Sequence, residues 1–253
     1  MSLTRQQIKS DLNRAGIVPG SRVMVHSSYK SLGGVEGGPV EVVHAFLDAV
    51  YPEGVVVFPT FDFKSWTQRG SWDYWETPSQ MGVITEKART GCPEHFVRTL
   101  HPIYSCITSE MAPGSRDACV DAFGVMTFFE HIIQKNYTIV VLGVPDVNNS
   151  FTIVHQAEVT ADPPNYWRER KEFVGTYCDP WGVSSRQSYF MHVRKEGVTT
   201  NIRPFVQLLL EKGVIQEHRV GPARTLVASS QEFAEHAMWA AISRPELLRE
   251  AEG

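Results

Sequence analysis

The chain has 253 residues, 42% of them hydrophobic and 21% charged, which is enough apolar material for a sizeable core and too much for a disordered chain. A formal net charge of −4 without any Lys/Arg cluster excludes an electrostatic nucleic-acid binder. No apolar run reaches the roughly twenty residues of a membrane-spanning helix, and the opening MSLTRQQIKSDLNRAG lacks a signal-peptide core, so the expected location is the cytoplasm.

Thr4 with Gln7 forms a capping-box pattern that opens a helix, with Ile8 and Leu12 as its apolar face and Gly16 as its stop. Residues 21–27 (SRVMVHS) read as a buried strand, and a loop rich in serine and glycine follows. Pro39 stands where a first helical residue is favoured, and Val42, Val43, Phe46, Leu47 and Val50 make a helical stripe. Residues 54–61 (GVVVFPTF) are a second buried strand, so the unit is βαβ. Backbone N–H groups and hydroxyls of such a loop, next to a helix start, favour a phosphate. The spacing matches neither the P-loop nor G-x-G-x-x-G, and an ordinary turn is the alternative.

Residues 62–80 carry Trp66, Trp72, Tyr74 and Trp75 among polar neighbours. They either line a ligand cleft or tuck a loop onto the core, and the pattern does not decide. Met81 and Gly82 lead a helix to about Thr90. Residues 103–108 are a short strand, preceded by Arg98 and His101, which either meet a phosphate or serve as surface ion-pair residues. A helix over 128–133 then precedes the most strand-like run of the chain, residues 137–144, which ends in Pro145 and Asp146.

If a helix starts near Ser150 or Thr152, His155 and Glu158 stand at i and i+3 on one face, a proton acceptor beside an orienting carboxylate. Asp162-Pro163-Pro164 ends that helix. Residues 167–177 read as a charged, hinge-like segment with a short strand at its end, and 188–193 as another strand. Residues 203–211 form an amphipathic helix, and Ser229 caps a last one carrying Phe233, Ala237, Ala240 and Ala241. Cys92, Cys106, Cys119 and Cys178 show no C-x-x-C and no zinc spacing, and read as reduced thiols. With no repeat and no long linker, the expectation is one α/β domain over 1–253, a central mixed sheet flanked by helices.

Five segments, VMVHSSYKSLGGVEGG with GVVVFPTF, TPSQMGVITEKAR, RTLHPIYS, TIVVLGV and FTIVHQAE, occur in an order and spacing that resemble the aminoglycoside 3-N-acetyltransferase (antibiotic N-acetyltransferase) family. The resemblance implies acetyl transfer from acetyl-CoA to an amine, as in antibiotic resistance or in biosynthesis of amino sugars, with no metal. It implies His155 as catalytic base and Glu158 as its partner. Ser27, Ser28, Ser31, Leu32 and Gly33 match the loop that holds CoA, and Met81, Gly82 and Ser105 match positions near it. Asp62, Trp75 and Asp146 are the expected acceptor contacts, and a homodimer is allowed. The departure is a short, Trp- and Tyr-rich segment after the second strand, where antibiotic-modifying members often have a longer, acidic one. Two alternatives differ in class. A serine hydrolase would use Ser27, Ser28 or Ser105 but lacks G-x-S-x-G, and a non-catalytic CoA-binding protein would not need His155.

Overall fold

A computed structural model of the protein describes residues 2–110, 119–164 and 166–251. The first βαβ unit forms as its residues dictate. Helix α1 (Arg5–Arg14) starts with Thr4 accepting from the Gln7 amide while the Gln7 side chain accepts from the Thr4 amide. Strand β1 (Arg22–Ser27), helix α2 (Pro39–Val50) with Pro39 in its first turn, and strand β2 (Val55–Pro59) follow, with β1 and β2 parallel. The chain continues through β3 (Ser71–Asp73), α3 (Val83–Gly91), β4 (Val97–Arg98), β5 (Cys106–Thr108), α4 (Phe128–Gln134), β6 (Thr138–Leu142) and α5 (Ile153–Ala161). Then come β7 (Arg168–Cys178), β8 (Ser184–Arg194), β9 (Val198–Thr200), α6 (Arg203–Glu211), β10 (Ile215–Val220), β11 (Ala223–Ser229), α7 (Ser230–Ser243) and β12 (Arg249–Ala251).

The main sheet has the order β10-β11-β6-β1-β2-β5-β4. Its centre, β6-β1-β2, is parallel and its flanks are antiparallel, a mixed sheet as expected. Alternate residues feed two cores. Val23 and Val25 pack with α1, α2 and α3 on one face, whereas Met24 packs with α4, α5, α6 and α7 on the other. A smaller sheet, β3-β7-β8, closes over the second core through Trp66, Trp72, Tyr177 and Tyr189.

Two regions depart from the sequence expectation. Residues 168–178 are strand throughout, paired with β8 from Arg168↔Arg194 to Cys178↔Ser184. Most of β7 is exposed, so burial alternates only near its end, and pairing with β8 along its length and with β3 over its last residues holds it extended. The β10-β11 hairpin, turning at Gly221-Pro222, lengthens the main sheet beside β6 and was not anticipated.

Candidate active site

At β1 the chain leaves for β2 on one side, while β6 comes in parallel on the other. Such a reversal opens a crevice beyond the carboxyl ends of the two strands, where doubly wound sheets hold ligands. Here those ends are Ser27 and Leu142. The Ser28 amide donates to the Leu142 carbonyl at 2.8 Å, and Ser31 Oγ donates to the Gly143 carbonyl at 2.5 Å. Gly143 has φ +65°, and a Cβ there would sit 2.6 Å from Ser31 Cβ, so only glycine allows the loops this close. Ser27 Oγ is buried without a partner among the described residues, and the Leu32 side chain is sealed in the core, so only its backbone can face a ligand.

From β6 the chain passes a one-turn 3-10 helix capped by Asp146 and enters α5. Glu158 is 1% exposed, and its carboxylate is shared. Oε2 takes a hydrogen bond from His155 Nδ1 at 3.0 Å, and Oε1 takes one from Trp167 Nε1 at 2.8 Å. A carboxylate only accepts, so Nδ1 carries the imidazole proton and Nε2 is the acceptor nitrogen, taking a long hydrogen bond from Arg168. Arg168 Nη2 lies 3.4 Å from Nε2 and donates to Thr200 Oγ1 at 3.0 Å, while Nη1 donates to the His192 carbonyl at 3.1 Å. The Phe123 ring meets the imidazole edge-on at 5.7 Å. Burial, and then the Arg168 charge, push the His155 pKa below the usual histidine value against the pull of Glu158. The arrangement is that of a neutral imidazole poised to accept a proton.

His155 opens onto a cleft of about 400 Å³. Phe61, Phe63, Tyr104 and Phe151 form its apolar side, and Asp146, Asn148, Thr152, Arg168, Arg194 and Thr200 its polar side, with Met81 at the margin. Three expected residues, His155, Asp146 and Met81, thus meet in one place, and Glu158 stands directly behind the imidazole.

Others lie elsewhere. Asp62 is 1% exposed, and its Oδ1 accepts from the Lys64 and Ser65 amides and from Gln80 Nε2, which leaves it a loop-organising carboxylate out of reach of an acceptor. Trp75 is largely exposed and donates to the Pro180 carbonyl, away from the cleft lining. Ser105 is fully buried, bonded to Thr60 through both Oγ1 and the carbonyl, and is inaccessible to substrate. Gly82 is exposed at the start of α3. Ser27 to Gly33 border the crevice without lining the cleft.

The aromatic segment resolves as core: Trp66, Trp72 and Tyr74 are buried. Arg98 is neither a surface residue nor an anion ligand. Its Nη1 donates to the Tyr74 and Thr77 carbonyls, its guanidinium lies 4.6 Å from the Trp72 ring centroid, and burial brings its pKa down to about 10. His101 is likewise tied to backbone, accepting from the Ile103 and Tyr104 amides. Trp167, Arg168, Thr200 and Tyr104 were missed as site residues. The place of Trp167, Arg168 and Thr200 follows from where β7 and β9 run, and that of Tyr104 from the segment before β5; only the Asp162-Pro163-Pro164 break hinted that the chain turns back there. Among the described residues no group of three metal-ligating side chains comes together, and no helix is long and apolar enough to cross a membrane.

A family model described as "Aminoglycoside 3-N-acetyltransferase" matches residues 24–240. The SPbeta prophage-derived aminoglycoside N(3')-acetyltransferase-like protein YokD of Bacillus subtilis (strain 168) is 36% identical over 125 residues, which is 41% of this chain and 45% of that protein. Aminoglycoside N(3)-acetyltransferase III of Salmonella sp is 26% identical over 186 residues, 64% of this chain and 62% of that enzyme. The matches therefore span between about half and just under two thirds of these relatives' own length. Among solved structures, "AAC-IIIb binary with CoASH" superposes with a TM-score of 0.79 at 19% identity, covering 94% of this chain and 96% of that one. "AAC-VIa bound to Sisomicin" gives 0.77 at 16%, covering 94% and 97%. At these identities the superpositions establish a common fold.

Proposed function

The chain belongs to the aminoglycoside 3-N-acetyltransferase family, and we propose on that premise that it transfers the acetyl group of acetyl-CoA to a primary amine of an aminoglycoside or a related amino sugar. His155 is the general base. The observation that carries this reading is the imidazole whose Nδ1–H is held by Glu158 while Nε2 faces a cleft large enough for a sugar ring. Support for the acetyl donor comes from the CoASH complex of AAC-IIIb and from the crevice at Ser27, Ser28 and Ser31, where small side chains and an unpartnered hydroxyl suit a pyrophosphate and pantetheine arm. The sisomicin complex of AAC-VIa supports an amino sugar acceptor.

An alkylammonium has no lone pair and cannot attack a thioester. His155 Nε2 takes the ammonium proton, the freed nitrogen bonds to the carbonyl carbon and gives up its surplus proton to solvent, and Glu158 stabilises the imidazolium. The C–S bond breaks, the imidazolium returns its proton to the CoA thiolate, and amide and CoA-SH leave. Thr152, whose hydroxyl makes no capping hydrogen bond, stands on the same cleft as a donor for the developing oxyanion. No serine or cysteine lines the cleft among the described residues, which favours direct transfer over a covalent acetyl-enzyme.

The test is CoA-SH release with aminoglycosides, nucleotide-linked amino sugars and simple amines, together with rapid mixing of enzyme and acetyl-CoA alone. The reading expects release only in the presence of an amine and no acetylated protein without one. A stable acetyl-enzyme would overturn direct transfer, and no release with any amine would overturn the activity.

A further inference from the structure

The acetyltransferase reading, on which this inference rests, leaves the acceptor open between a polycationic antibiotic and a smaller amino sugar. The charges around His155 separate the two. Arg168 stands directly opposite Arg194 on the β7-β8 ladder, and opposite residues of an antiparallel pair project to the same face, where like charges repel. Of the neighbouring rungs, Glu169 faces Val193, Lys171 faces Met191, and Arg170, opposite His192, is ion-paired with Asp121. Both arginines line the cleft that holds His155.

Neither arginine is fully neutralised. The Arg168 side chain is 9% exposed, and its Nε has no hydrogen-bond acceptor, the nearest carboxylate oxygen of Glu158 standing off at 3.9 Å. Arg194 is exposed and has no hydrogen-bond or ion-pair partner among the described residues. A groove of about 520 Å³ continues from the cleft past the same two arginines and adds Lys195 and His192, with Glu196 as its only acid among the described residues. In the cleft itself the one carboxylate among the described lining residues is Asp146, already 3.1 Å from the Arg203 guanidinium. An aminoglycoside brings several ammonium groups, each of which needs an acidic partner, and would meet a surplus of cations instead, Arg194 among them without a partner in the described residues.

We propose that the acceptor is an amine carrying its own anionic group, a phosphate or a carboxylate, and that Arg194, with Arg168 opposite, seats this group while the amine meets His155. Guanidinium forks match both anions in two-pronged geometry, and a partly desolvated site strengthens such bonds. The arrangement also couples binding to chemistry. An anion on Arg168 offsets the charge beside His155 Nε2, so the imidazole becomes a better base once the acceptor is seated.

The experiment follows CoA-SH release from acetyl-CoA with amines that share one ring: glucosamine, its 1-phosphate and 6-phosphate, and muramic acid as the carboxylate, with kanamycin as the polycation. The wild type, Arg194→Met and Arg194→Lys are compared. One of the anionic amines is expected to exceed glucosamine and kanamycin in kcat/KM by about tenfold or more, the worth of one charge-assisted hydrogen bond. Arg194→Met should bring that ratio towards one through the acceptor's KM, and Arg194→Lys should keep part of it. Whether phosphate or carboxylate shows the larger ratio identifies the anion. Preference for kanamycin or for plain glucosamine overturns the inference. So does an Arg194→Met defect confined to the KM of acetyl-CoA, because the arginine would then serve the donor's phosphates. Release with no amine at all in the panel is a different failure: it removes the acetyltransferase reading and this inference with it.

Discussion

Glu158 receives a hydrogen bond from His155 and another from Trp167, and Arg168 approaches both the acid and the base. Each neighbour constrains the imidazole in a separable way. Because burial, and then the Arg168 charge, oppose protonation of His155, the acid limb of kcat/KM should lie below the ordinary histidine value of about 6.5. Arg168→Met removes a positive charge, so that limb should move to higher pH, whereas Arg168→Lys should leave it nearer the wild type. A pH–rate profile of the three proteins checks this, and an unshifted limb in Arg168→Met would show that the guanidinium does not act on the base. Trp167→Phe removes one donor from a buried carboxylate and should cost about 1–2 kcal/mol of stability by urea denaturation. His155 and Glu158 were legible in the sequence because an i, i+3 pair sits just beyond a β-branched strand. Arg168 was not, because an arginine in an exposed, charged stretch carries no sign of the partner that the fold brings to it.

At the scale of elements, the close approach of the loops after β1 and β6 is the feature most easily tested. Gly143→Ala places a methyl group 2.6 Å from Ser31 Cβ in a left-handed backbone, whereas Gly182, also left-handed at φ +79°, has nothing within 4 Å of its would-be Cβ. Gly182→Ala should therefore cost only the conformational penalty of roughly 1–2 kcal/mol. Gly143→Ala should cost more and should raise the KM for acetyl-CoA. Equal urea midpoints for the two variants, with unchanged KM, would contradict the close-packed crevice. The βαβ unit was readable because its signals are local: a capping box, a proline in the first turn of α2, and a run of β-branched residues in β2. The eleven-residue strand β7 was not, since it is held by pairing with β8 and β3 and its burial alternates only near its end. The tryptophans of residues 62–80 misled in a third way, because a buried ring and a cleft-lining ring look the same in sequence. Trp66 and Trp72 went to the core, and Trp75 to the surface.

Across the whole molecule, the two cores on either face of the sheet take up several imidazoles as neutral groups. Burial lowers His26 to about 4 and His101 to about 4, and it lowers His155 and His192 in the same direction. The unfolded chain binds these protons near pH 6.5 and the folded one does not, so stability is fully present above that pH and falls as pH drops from 6.5 towards 4. For His26 and His101 the loss is on the order of 3 kcal/mol each across the window. The carboxylates with lowered values, Asp48, Glu86 and Glu110 among them, act below it. Urea midpoints measured between pH 7 and pH 4.5 should therefore decline, and a flat profile would show that these histidines are not buried neutral. The βαβ core and the place of the cleft beyond the strand ends were legible from alternation and loop chemistry, and the mixed sheet from the family resemblance. The order of the strands was not, because pairing of β11 with β6 or of β5 with β2 joins residues distant in sequence and leaves no local mark.

The account turns on His155 removing a proton from an amine while a thioester lies beside it. The most direct test is the rate of CoA-SH release by wild type and His155→Ala from pH 6 to pH 10, with acetyl-CoA and the best amine saturating. The variant should lose about 10²- to 10⁴-fold at neutral pH, and the deficit should narrow as the amine deprotonates on its own. A variant that retains wild-type rates, or one that loses the same factor at every pH, would contradict the assignment of His155 as the base.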